Sequence, residues 1–213
     1  MQSDGAKARF TRSDGSYAFA RWARPIVPVV FGLEPETLAV YKAALTAVAG
    51  LTGRGLVASD PEMGINLLVF ALRNWTELHD VPEIDALVSG LVDRTAALEA
   101  AAANQYRLFR FEPGGSIRAA FLFLRFDAAL AAMDAADLAL EQAVRLMLLW
   151  SDSAFVGRSA LALLDGGVLV RPDIAAVIRA AYDPVLPDAA ADVSHALRLA
   201  ARMELAGIDL TTL

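Results

Sequence analysis

Five polar residues set into one apolar stretch mark the place in this chain where chemistry could be done. They are Glu141, Gln142, Arg145, Ser151 and Asp152, within Glu141-Gln142-Ala143-Val144-Arg145-Leu146-Met147-Leu148-Leu149-Trp150-Ser151-Asp152. Residues four apart on a helix share a face, so Glu141 and Arg145 either converge on one site or pair with each other. As a plain ion pair they would stabilise the helix by roughly 0.2–0.5 kcal/mol. Asp134, Asp137 and Glu141 give the stretch an acidic start, which suits the positive end of a helix dipole. Leu138, Leu140, Val144, Met147 and Leu148, widened by Leu146, Leu149 and Trp150, form an apolar arc too broad for burial on one side only. The reading is a central helix that dives into the core and ends in a polar turn.

Zinc chemistry is the first test of such a helix. Zinc peptidases of the zincin type carry His-Glu-x-x-His there, because two histidines four apart can share one metal. The same frame here reads Glu141-Gln142-x-x-Arg145. Both imidazoles are absent, the general base is an amide, and a protonated guanidinium stands at a ligand position. No bound metal and no cofactor is expected.

Around this frame lies a family resemblance. The run Glu141 to Asp152, then Ser153-Ala154-Phe155, and later Ala181-Tyr182-Asp183-Pro184-Val185-Leu186 resemble the signature segments of a proteobacterial family of uncharacterised proteins, mostly held to be exported or lipid-anchored. That family carries Glu-Glu-x-x-Gln in the peptidase frame, followed by an Asn-Asp pair, a Ser-x-Phe and a Tyr-Asp-Pro segment. Glu141 and Asp152 match this pattern, whereas Gln142, Arg145, Leu148 and Ser151 depart from it. The likeness runs from about Arg21 to Ala191. It implies a zincin-like fold and a periplasmic or secreted location, and it implies no particular substrate.

Other constellations are thinner. Glu141 and Asp152 could serve as an acid–base pair. On one straight helix, however, they would stand about 16 Å apart, beyond the roughly 6.5–9.5 Å of an inverting glycosidase. Only a tight bend after Leu149 would join them. The two histidines, His79 and His195, have no second histidine at i+3 or i+4. Asp60, Glu62 and Asp152 could offer oxygen ligands to a hard cation, without EF-hand spacing. Ser151, Ser153 and Ser159 lack a nucleophile elbow. Phosphate loops are absent as well. Arg73-Asn74-Trp75 could line a cleft, with Trp75 either a stacking surface or a core residue.

The elements that must position these residues are legible in outline. With 213 residues, 56% of them hydrophobic, the chain suits one domain with a sizeable core. Its net charge of −6 and the lack of a basic patch argue against a nucleic-acid binder, which needs clustered cations. There are no cysteines, which removes disulfides, thiol catalysis and thiolate metal sites. Neither a signal-peptide core near Met1 to Phe10 nor an apolar run long enough to span a bilayer is present. The expectation is a cytoplasmic chain or a mature segment freed of its export signal.

Residues 1–16 read as a loose lead-in and 17–213 as a single domain, its α/β part at 17–137 and its helical part at 138–213. Short strands are expected at Tyr17 to Trp22 and at Pro25 to Phe31, the latter on a sheet edge because of its prolines. A helix opens at Glu34-Pro35, and Ile65 to Leu72 reads as a central buried strand reached by a parallel crossover. A long helix follows from Pro82 to about Ala103, with Leu87, Leu91 and Leu98 inward. Tyr106 to Phe111 and Ile117 to Phe126 make a hairpin around a type II turn at Pro113-Gly114. After the central helix come helices near Gly157 to Leu164, Pro172 to Tyr182 and Asp192 to Leu205, with Gly207 placed to end the last.

The fold class is therefore α+β, zincin-like: a small mixed sheet with a hairpin packed on a central helix, and a helical C-terminal lobe. The leading expectation is a non-catalytic metallopeptidase-like module in the cell envelope, with a protein or peptide partner and Glu141–Arg145 as an ion pair in place of metal. The alternatives are a hydrolase using Glu141, Asp152 and His195 on the same scaffold, and a cytoplasmic partner-binding domain.

Overall fold

Asp134 starts the helix around which the molecule is arranged, accepting the Ala136 N–H at 2.8 Å and the Asp137 N–H at 3.2 Å. Such a side chain satisfies N–H groups that have no partner within the helix. The computed structural model describes residues 2–60, 62, 64–164 and 167–205. In chain order its elements are α1 (Gln2–Phe10), β1 (Phe19–Ala20), β2 (Pro28–Phe31), α2 (Pro35–Gly50), β3 (Leu67–Leu72), a 3₁₀ helix (Trp75–Asp80), α3 (Ile84–Leu87), α4 (Leu91–Ala100), β4 (Gln105–Phe111), β5 (Ile117–Arg125), α5 (Ala128–Ala131), α6 (Ala135–Met147), β6 (Leu161–Leu164), β7 (Gly167–Val170), α7 (Pro172–Ala181), β8 (Ala189–Ala190) and α8 (Ser194–Leu205). The architecture is α+β.

One mixed sheet has the order β2-β3-β5-β4, with β2, β3 and β5 parallel and β4 antiparallel to β5. Pro28, the first residue of β2, suits an edge strand, where a missing N–H donor does no harm. Side chains alternate across the inner strands. Leu67, Val69, Ala120, Leu122 and Leu124 face a large core shared with α1, α2, α6, α7 and α8. Phe70, Leu72, Phe121 and Phe123 face a smaller one beneath the 3₁₀ helix, α3 and α4. The central helix α6 lies in the first layer, packed against α2.

Several expectations are corrected. Over its described residues the lead-in at 1–16 is not a loose tail: Gln2–Phe10 form α1, and Phe10 is fully buried among Tyr17, Phe19 and Trp150, while Met1 lies outside the described residues. The long helix from Pro82 starts only after Glu83 at φ 59°, and it is broken into α3 and α4 where Val88 turns extended and Gly90 takes φ 67°. Ile84, Val88 and Leu91 turn inward there, while Leu87 stays 42% exposed. The helix expected at Gly157 to Leu164 is instead a hairpin, β6 on β7; two short apolar runs around Asp-Gly-Gly favour that. Asp165, Gly166 and Gly207 lie outside the described residues. Between β4 and β5 it is Gly115, not Gly114, that takes the left-handed conformation, at φ 88°. Its N–H reaches Glu112 O at 2.8 Å, the pattern of a type I turn followed by a left-handed residue rather than a type II turn.

Candidate functional site

The central helix stops at Met147, and Leu148 is already extended, pairing with Arg21. Glu141 and Asp152 are therefore not on one straight rod. Beyond the stop, Trp150, Ser151 and Asp152 swing towards β4. Together with Arg145 they enclose a cavity of about 210 Å³ whose other wall is Arg107 and Phe109 of β4.

Each position of the peptidase frame is engaged within the protein. Arg145 donates to Glu141 Oε1 from Nη2 at 2.6 Å and from Nε at 3.1 Å, and both side chains are about one quarter exposed. The same guanidinium sits 4.6 Å above the Phe155 ring, a cation–π contact. Gln142 is fully buried. Its Oε1 accepts from Arg107 Nη2 at 2.6 Å, and its Nε2 donates to Gln105 Oε1 at 2.9 Å. Arg107 Nη2 also donates to Gln105 Oε1 at 2.9 Å, which closes a three-residue ring between helix and strand.

Charge in this region is unevenly matched. Burial pushes the Arg107 guanidinium down to about 10, and the neighbouring Arg145 cation acts in the same direction; Tyr41 and Glu141 oppose them. Arg107 stays protonated at neutral pH all the same. Its Nε is sealed from solvent without a hydrogen-bond partner, and so is the Tyr41 hydroxyl on α2. Burial raises the Tyr41 hydroxyl well above the ordinary tyrosine value. The Asp152 carboxylate is held by the Ser13 hydroxyl and, at 2.9 Å, by the Ser13 N–H, which together lower its pKa. Ser151 is tied to α1 by its N–H on Arg9 O at 2.8 Å, and its Oγ reaches Ala8 O at 3.3 Å.

The remaining sequence candidates are scattered. His195 is fully buried in α8, with Nδ1 2.8 Å from the Tyr17 hydroxyl and its ring 4.1 Å from that of Phe19. It is sealed away from open cavities, so Glu141, Asp152 and His195 do not meet in one. His79 is exposed and bonds Thr95 Oγ1 at 3.0 Å. Asp60 accepts the Glu62 N–H at 2.8 Å, while Glu62 pairs with Arg24, also at 2.8 Å. Among the described residues no three His, Asp or Glu side chains stand together as metal ligands. Arg73 lines a separate cavity of about 530 Å³, together with Glu34 and Glu77. Trp75 is no stacking surface: it is 1% exposed and donates to Ala103 O at 3.1 Å.

Sequence reasoning missed Arg107, Gln105 and Tyr41. A signal for the first two exists in β4, where Tyr106 and Leu108 face the smaller core and Phe109 the larger one. Alternation then turns Gln105 and Arg107 towards α6. Polar residues at inward strand positions need inward partners. No family model, no curated protein and no solved structure matches the chain.

Proposed function

We propose that this chain is a non-catalytic, zincin-like binding module of the cell envelope, whose ligand is held beside the central helix. The observation that carries the reading is what occupies the peptidase frame. Glu141 is paired with Arg145, Gln142 is locked to Gln105 and Arg107, and two guanidiniums line the adjoining cavity. Protonated guanidiniums offer a metal no lone pair and a water molecule no base. They are suited to holding something, not to activating a nucleophile.

The element order from β2 to α6 supports the zincin-like part: strand, helix, strand, helices, hairpin, a short helix and the central helix. The C-terminal part departs from a helical lobe, since β6, β7 and β8 alternate there with α7 and α8. The envelope location follows from the family resemblance. Cell fractionation would test it, with recovery in the envelope fraction expected.

The module reading is tested by prolonged incubation of the purified protein with denatured casein and mixed peptides, with and without zinc. Mass spectrometry is expected to find no cleavage, and elemental analysis no stoichiometric zinc. A cleavage product that disappears in the Glu141→Gln or Asp152→Asn variant would overturn the reading in favour of an acid hydrolase.

A further inference from the structure

The cavity between β4 and α6 combines features that select a ligand by charge. Arg107 comes from a strand and Arg145 from a helix, so both guanidiniums are carried on rigid elements. They are close enough for the Arg145 cation to weaken the protonated form of Arg107. Among the described residues, Glu141 is the carboxylate bonded to either of them, and it spends one oxygen on two bonds from Arg145. Among the described residues, neither Arg107 Nη1 nor Arg145 Nη1 makes a hydrogen bond to protein, and Arg107 Nε is buried without a partner. Two like charges held together with spare donors are relieved by an incoming anion.

The walls narrow the choice further. Phe109 and Trp150 are apolar surfaces suited to a carbon skeleton. Asp152 lines the same cavity as a bound carboxylate, its oxygens taken up by Ser13. It repels a doubly charged phosphate more than a singly charged carboxylate. A guanidinium fork matches carboxylate geometry, and a cavity of about 210 Å³ admits a small acid or one chain end.

We propose that this cavity binds the carboxylate of a small organic acid or of a peptide C-terminus, gripped by Arg107 and Arg145 against Phe109 and Trp150. The assignment rests on the binding-module reading and specifies its ligand. Trp150 makes it observable: Trp22 and Trp75 are at most 1% exposed, whereas Trp150 is only half-buried at the cavity wall.

The experiment titrates the whole protein with N-acetylalanine, N-acetylalanine amide, inorganic phosphate, and an acetylated penta-alanine with free or amidated C-terminus. Binding is read by tryptophan emission and by calorimetry. N-acetylalanine is expected to bind with a Kd of about 1 mM or tighter, and its amide at least about tenfold more weakly. Arg145→Gln is expected to weaken the acid by about tenfold or more, with Arg145→Lys in between. Should Arg145→Gln fail to fold, Phe109→Ala tests the same cavity from the strand side and is expected to lose acid affinity and the emission response.

A free-acid pentapeptide binding about tenfold tighter than N-acetylalanine assigns the site to a chain terminus. Equal affinities assign it to a free small acid. The proposal is overturned if acid and amide bind alike, if phosphate binds tighter than N-acetylalanine, or if the emission does not saturate by about 100 mM, a hundredfold above the expected Kd. Cleavage of the pentapeptide would end the binding-module reading. Loss of acid-over-amide preference with the peptide intact would end the carboxylate assignment alone.

Discussion

His195 is the residue whose burial has the clearest consequence in solution. Its ring is sealed between Tyr17 and Phe19, Nε2 has no partner, and burial pushes the imidazole down to about 4, with the Arg198 and Arg21 cations adding to that. The unfolded chain takes up this proton near the ordinary histidine value of roughly 6.5. Between those two values the folded state binds fewer protons than the unfolded one, so stability falls as pH falls. The contribution is fully present above roughly 6.5 and is lost down to about 4, with a limit of about 3 kcal/mol. Urea denaturation across pH 7 to 4 is expected to show a steep acid limb, flattened in His195→Gln. Carboxylates such as Asp152 add their own acid loss, and the difference between the two proteins isolates the histidine. Equal slopes would mean that His195 takes up its proton while folded. None of this is readable from the sequence, since Tyr17 and His195 lie 178 residues apart. The Glu141–Arg145 pair is readable, because i,i+4 spacing on one helix fixes it locally.

At the scale of elements, the abrupt end of α6 explains why the turn carrying Ser151 and Asp152 is free to face β4. Helix ends leave carbonyls without partners. Three aromatic donors supply them here: Trp150 Nε1 on Val144 O at 2.9 Å, Trp22 Nε1 on Leu146 O at 2.8 Å and the Tyr182 hydroxyl on Met147 O at 2.8 Å. Tyr182→Phe keeps the ring under Arg21 and Arg54 but strands the Met147 carbonyl. The expected loss is about 1–3 kcal/mol in the urea midpoint with an unchanged slope. A midpoint identical to that of the unaltered protein would show that the carbonyl finds another donor. Strand and helix order was legible where apolar period and proline or acid starts agree, as for β2, α2, β3, β4, β5, α6, α7 and α8. It was not legible where a single left-handed residue decides, as at Gly90, or where four-residue apolar runs fit helix and hairpin equally, as at Leu161–Leu164.

For the whole molecule, the question is whether α1 is an accessory or part of the fold. Phe10 stacks on Trp150 at 5.5 Å and meets Phe19 edge-on at 5.1 Å, so one side chain joins the first helix to the turn behind the cavity. Arg9 continues the link: its backbone oxygen accepts the Ser151 N–H, and its guanidinium reaches Asp173 of α7 at 2.5 Å, where Arg171 also bonds. Ser13 completes it by holding Asp152. Residues 9–13 thus brace the cavity floor from outside the sheet. If that bracing belongs to the cooperative core, Phe10→Ala removes a fully buried aromatic and costs about 3–5 kcal/mol of global stability. Far-ultraviolet circular dichroism and tryptophan emission would then shift together in one transition. An accessory helix would behave otherwise: dichroism would lose a small early step, and the main midpoint would stay put. The coincident shift is the expected result, because the ring lies inside the same core that buries α6 and not in a satellite of it.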